Sequence, residues 1–200
     1  MTIELDGASL QEGVMDGLPL LEVWVGGEKI WPTREVVQIT LGAGFQAQDQ
    51  MDAALTARGL DYWNVTEIPF DIELVGSGSA QYLFNGFWAL MSAPDMDTSQ
   101  VTNMSGMFQS CSALTSVPDL DTSGVTNMNS MFMSCSALTH VPDMDTSQVT
   151  DMSWMFYDCP SLTDGNVRLI GRHPQVDTTG MITGSGLTRE PFYDTAGNPI

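Results

Sequence analysis

The chain has 200 residues, 42% hydrophobic and 16% charged, with 6 Lys and Arg against 25 Asp and Glu for a formal net charge of -19. That size and apolar content suit one large or two small domains with a buried core, not a disordered tail. No Lys or Arg lies between Arg58 and Arg168, so neither nucleic acid nor an anionic membrane surface is expected as a partner, because both require clustered cations.

The start of the chain, Met1 to Asp6, has neither a cationic segment nor an apolar core of the kind an export signal carries. No run approaches the roughly 20 apolar residues of a membrane span. Residues 1–33 read as a small β-hairpin module. Ile3–Leu5 runs into Asp6-Gly7, a strong hairpin dipeptide. Leu20–Val25 alternates up to Gly26-Gly27, and Glu28–Trp31 comes next and stops at Pro32. Period two puts Val23 and Val25 on one face, with Glu22 and Trp24 on the other.

Residues 34–75 read as strand, helix, strand. Glu35–Leu41 is β-branched and apolar; Ala47–Arg58 has a helical stripe of Met51, Ala54, Leu55 and Arg58, with Gly59 placed as a terminating glycine. Val65–Val75 is extended again. A βαβ crossover of this kind is expected to cap the first edge of a repeat stack.

The middle of the chain is periodic. D-T-S-x-V-T-x-M-x-x-M-F-x-x-C begins at Asp97, Asp121 and Asp145, a step of 24 residues. A fixed period of this length means supersecondary units that bury their apolar sides against one another. The expected fold is an α/β solenoid with parallel β over residues 68–190, with coils near 68–92, 93–116, 117–140 and 141–164, a degenerate coil over 165–190, and a tail at 191–200. Its core is expected from Met107, Phe108, Cys111 and Leu114, repeated as Met131, Phe132, Cys135 and Leu138 and again as Met155, Phe156, Cys159 and Leu162. Met-x-x-Met-Phe has helical spacing and predicts one turn of helix or 3₁₀. Three cysteines on one period suit an apolar ladder better than disulfides, and no His shares their column to suggest a metal.

Asp97, Asp121 and Asp145 are expected to cap turns by accepting backbone N–H groups, with a calcium ladder as the rival reading. Columns that change from coil to coil are expected to face solvent. They place Gln109, Met133 and Tyr157 in one column, Trp154 in another and His140 in a third. Trp154, Tyr157 and Met133, with Gln109 and His140, are the candidate contacts for a carbohydrate or protein partner; the rival is that Trp154 and Tyr157 pack beneath the final coil. Trp88 and Phe87 pose the same choice toward the cap. His140 and His173 have no nucleophile at a recognisable spacing, and no catalytic or phosphate-binding motif occurs. Neither an enzyme nor a cofactor is expected.

The unit V-T-x-M-x-x-M-F-x-x-C-x-x-L-x-x-x-P-x-x-D-T-S resembles the BspA-type leucine-rich repeat of bacterial surface proteins, over roughly residues 68–190 and most specifically over Asp97–Leu162. The resemblance implies a leucine-rich-repeat-like stack and an adhesin binding host or matrix proteins. The segment Leu20–Pro32 (LLEVWVGGEKIWP) is similar to a short element of minor tail and accessory virion proteins from bacteriophages of actinobacteria. That likeness implies a virion protein assembled in the host cytoplasm, docked to other virion proteins through Trp24 and Trp31 and oligomeric within the particle. A host-wall glycan or surface protein is then the expected target of the repeats. The rivals are a cell-surface adhesin and a purely architectural packing protein.

Overall fold

The computed structural model describes the backbone of residues 3–5, 8–15, 18–25, 28–30 and 46, and residues 35–42 and 47–200 with their side chains. Residues 1–36 with 69–71 form one compact unit, and residues 37–68 with 72–200 form a second.

The first four strands pair in chain order. β1 (Ile3–Leu5), β2 (Ala8–Met15), β3 (Leu18–Val25) and β4 (Glu28–Ile30) make an antiparallel sheet in chain order. Leu5 pairs with Ala8, Met15 with Leu18 and Val25 with Glu28. The intervening dipeptides are Asp6-Gly7, Asp16-Gly17 and Gly26-Gly27, which two-residue hairpins favour because they tolerate positive φ. Strand β2 is an addition to the sequence reading, and the dipeptides between the strands lie outside the described residues. Trp31 and the side chain of Trp24 lie outside the described residues, and so does the expected facing of Glu22, Val23 and Val25.

β5 (Val36–Thr40) and β6 (Asp71–Val75) form a two-stranded sheet, with α1 (Gln46–Thr56) between them in sequence. Asp71 N–H donates to Glu35 and Leu41 N–H to Val75, so the paired positions advance together and the strands run parallel. Ala47, Met51 and Leu55 are buried on one stripe of α1. Leu60 N–H reaches back to Leu55 and Gly59 N–H to Thr56, with Gly59 at φ 70°. This is a Schellman stop, and it needs a residue that tolerates the left-handed region. Gln48 Nε2 donates to the Asn85 carbonyl at 3.1 Å, tying the helix to the first repeat.

From here the repeats lie side by side. β7 (Gly78–Ser79) pairs in parallel with β8 (Val101–Asn103). Parallel bridges continue the line as Asn103–Asn127, Asn127–Asp151 and Asp151–Asp177. On another side β9 (Met144–Asp145), β10 (Leu169–Ile170) and β11 (Phe192–Tyr193) form a parallel sheet. Phe84, Phe108, Phe132 and Phe156 stack ring on ring through the interior, with centroids 5.3, 5.6 and 5.7 Å apart and planes within 5°.

The helical turn expected for Met-x-x-Met-Phe is replaced by a run of turns that alternates its hydrogen bonds. Met107, Gln109 and Cys111 donate three residues back within the repeat, whereas Gly106, Phe108 and Ser110 donate to Asn129, Met131 and Met133 of the next. A helix directs every N–H along its own axis and would leave none for its neighbour. Packing repeat on repeat wins over local spacing.

Candidate interaction surface

The D-T-S triplet divides its work between turn and neighbour. Asp97, Asp121 and Asp145 each accept the backbone N–H two residues on, from Ser99, Ser123 and Ser147 at 2.9–3.0 Å. The adjoining threonines are buried, and their hydroxyls cross to the next repeat, Thr98 to the Asp121 carbonyl and Thr122 to that of Asp145. The carboxyls of Asp97 and Asp121 are held below their ordinary value, first by the serine hydroxyl and then by its backbone N–H. Among the described residues no group of three or more His, Cys, Asp or Glu is placed to hold a metal ion.

The expected core positions Met107, Phe108, Cys111, Leu114, Met131, Phe132, Cys135, Leu138, Met155, Phe156, Cys159 and Leu162 are all fully buried. The three cysteines are free thiols. Each donates to a phenylalanine carbonyl one repeat back at 3.0 Å, Cys111 to Phe84, Cys135 to Phe108 and Cys159 to Phe132. Burial pushes the Cys111 and Cys159 thiols up to about 12 and raises Cys135 well above its ordinary value, so they stay protonated and unreactive.

Two columns run in the left-handed region. One is Tyr82, Gly106, Ser130, Trp154 and Gly180; the other is Gly86, Ser110, Ser134, Asp158 and Gly184. The first contains a column expected to face solvent, and the structure corrects that in part: Gly106 is buried and Ser130 half-buried. The Tyr82 ring covers Gly106, and the Trp154 ring covers Gly180, where a Cβ would come within 2.6 Å of it. A large ring in one repeat therefore requires glycine at the same position in the next. Tyr82 lies one period before Gly106, but Gly180 falls off the period after Trp154, so spacing alone did not pair them.

Trp154 is 39% exposed and meets Tyr157 edge-on, with centroids 5.2 Å apart. Trp154 packs on Gly180 of the final repeat, as one of the two expectations had it, and it also keeps exposed surface. Gln109 Nε2 lies 3.6 Å from Met133 Sδ, in the column that continues to Tyr157. His140 is exposed. The structure also gathers aromatics that sequence spacing did not group: Tyr62 lies edge-on to Trp63 at 5.0 Å and beside Phe87 at 5.7 Å. Phe87 itself is buried, and Trp88 is exposed. Tyr62 and Trp63 precede the recognisable period, so nothing in the repeat pattern pointed to them.

Interior ladders and cross-repeat hydrogen bonds that recur with the sequence period define a repeat protein. The chain belongs to the family described as Mycoplasma protein of unknown function, DUF285, whose model matches residues 79–185; that family is associated with BspA-like surface repeat proteins. No curated protein and no solved structure matches the chain. No helix among the described residues is long and apolar enough to cross a membrane.

Proposed function

We propose that this chain is a non-enzymatic structural protein of a bacteriophage particle, a minor tail or surface decoration protein. Its repeats form a short leucine-rich-repeat-like solenoid that meets the host surface, and its N-terminal sheet docks on other virion proteins through Trp24 and Trp31. The observation that carries a binding role is the contrast between an invariant frame and variable surface positions. Asp turns, buried threonines, thiols and phenylalanines repeat unchanged in kind, while Trp154 and Tyr157 replace smaller residues and stay accessible. Aromatic rings at such positions suit a wall glycan or a protein. The separate N-terminal unit supplies a second surface for assembly.

The association of the family with surface repeat proteins favours one rival, a bacterial cell-surface adhesin. A purely architectural protein is the other. In phage carrying the chain, Trp24→Ser/Trp31→Ser is expected to abolish incorporation, and Trp154→Ala/Tyr157→Ala to leave incorporation intact while lowering adsorption at least about tenfold, the loss of roughly 1.4 kcal/mol of binding. Normal adsorption by a folded second variant removes the attachment role. Absence of the chain from purified particles removes the virion assignment and leaves the adhesin.

A further inference from the structure

We propose that Tyr62, Trp63, Trp88 and Met91 form a docking surface for a protein segment bearing Lys or Arg side chains. Trp63, Trp88 and Met91 are 49%, 59% and 56% exposed. Residue 86 lies between Tyr62 and Trp88, because a Cβ built there comes 3.6 Å from Tyr62 Cε2 and 3.9 Å from Trp88 Nε1, and Trp63 meets Tyr62 edge-on. Met91 N–H donates to the Thr66 carbonyl, which ties the repeat to the segment carrying Tyr62 and Trp63.

The substitution pattern argues that these side chains are there for contact. In the Trp88 column the next repeats carry Ser112 and Ser136, whose hydroxyls donate to the carbonyls of Trp88 and Ser112. In the Met91 column they carry Thr115 and Thr139, bonded to Met91 and Thr115 in the same way. Met91 meets the Thr66 carbonyl through its backbone N–H alone, and no predecessor carbonyl is bonded at the Trp88 position among the described residues, so neither side chain serves that hydroxyl bond. Small polar residues would satisfy both positions. Trp and Met expose apolar surface that the fold does not require.

Charge selects the occupant. Asp61 and Glu67 are exposed on the segment that carries Tyr62 and Trp63, and no cation occurs after Arg58 before Arg168. A partner's guanidinium or ammonium gains both the ring faces and the carboxylates. The same pairing operates inside this chain, where Arg168 and Arg189 lie over the Tyr193 ring and Arg172 over Phe192, at 5.2, 5.5 and 4.8 Å.

The test is calorimetric titration of the full chain with a synthetic nonapeptide of alternating Arg and Gly, its Glu-Gly counterpart, and a neutral N-acetylglucosamine oligomer. Saturable binding of the Arg peptide is expected, weakened at least about tenfold by Trp63→Ala/Trp88→Ala and similarly by Asp61→Asn/Glu67→Gln. Asp95→Asn/Asp119→Asn, which removes the same charge elsewhere on the repeats, is expected to leave it unchanged. Equal weakening by that control pair, undiminished binding by the first two pairs, or no binding of the Arg peptide overturns the proposal. Binding of the neutral oligomer alone overturns it in favour of a glycan. The Asp61/Glu67 pair keeps the result readable if the tryptophan pair unfolds by circular dichroism.

Discussion

Thr98, Thr122 and Thr146 are buried hydroxyls whose bonds cross to a neighbouring repeat, while the aspartates beside them stay exposed and bond within their own turns. Chain spacing revealed the second role, since an Asp acceptor two residues before its donor is a local motif. The threonine's acceptor is a repeat away, and only packing reveals it. The turns make a pH prediction. The carboxyls of Asp97, Asp121 and Asp177 are held below the ordinary 3.8, chiefly by the hydroxyl of the Ser or Thr two residues on and then by its backbone N–H. A carboxyl whose folded pKa is depressed stabilises the fold above its unfolded value, and that contribution is lost as pH falls through the folded value. Urea midpoints are therefore expected to fall as pH drops below about 3.8. Asp97→Asn/Asp121→Asn, which keeps the turn acceptor without the charge, is expected to make that fall shallower; an unchanged pH profile contradicts the assignment.

At the scale of the element, the turn run that replaces the expected helix gives each repeat a polarity. Gly106, Phe108 and Ser110, then Ser130, Phe132 and Ser134, then Trp154, Phe156 and Asp158 all donate forward to the next repeat. In the final repeat the N–H groups of Gly180, Ile182 and Gly184 have no acceptor among the described residues. At the opposite end, Asn85 carries a carbonyl already bonded by Gln48 of α1. The strand, helix and strand before the repeats were legible, and so was Gly59 as the stop of the helix. The polarity was not, because it depends on which alternate N–H leaves the repeat. Hydrogen exchange is expected to show the Phe108 and Phe132 amides at least about 100-fold slower than that of Ile182. Equal rates would mean that the final edge is covered.

Across the molecule, the phenylalanine stack is the continuous thread of the interior. Phe108, Phe132 and Phe156 are fully buried, and Phe132 is sandwiched between the other two. Phe132→Ala removes contacts on both sides and is expected to cost about 3–5 kcal/mol by chemical denaturation. Ile182 at the same step of the last repeat is half-buried, so Ile182→Ala is expected to cost less, near the low end of about 2–5 kcal/mol or below. The reverse order would mean that stability does not pass from repeat to repeat.

The sequence by itself determined the period, the buried columns and the Asp turns, because each depends on residues equivalent under one fixed step along the chain. It also marked where the first and third strands end, at Asp6-Gly7 and Gly26-Gly27, dipeptides that favour a reversal of the chain. Only the tertiary structure decided that Tyr82 shields Gly106, that Trp154 rests on Gly180, and that Tyr62 lies against both Trp63 and Phe87. Those contacts join residues with no shared spacing or of unequal size. Side-chain volume and the distance between neighbouring repeats, neither of which a periodic pattern records, settle where they meet.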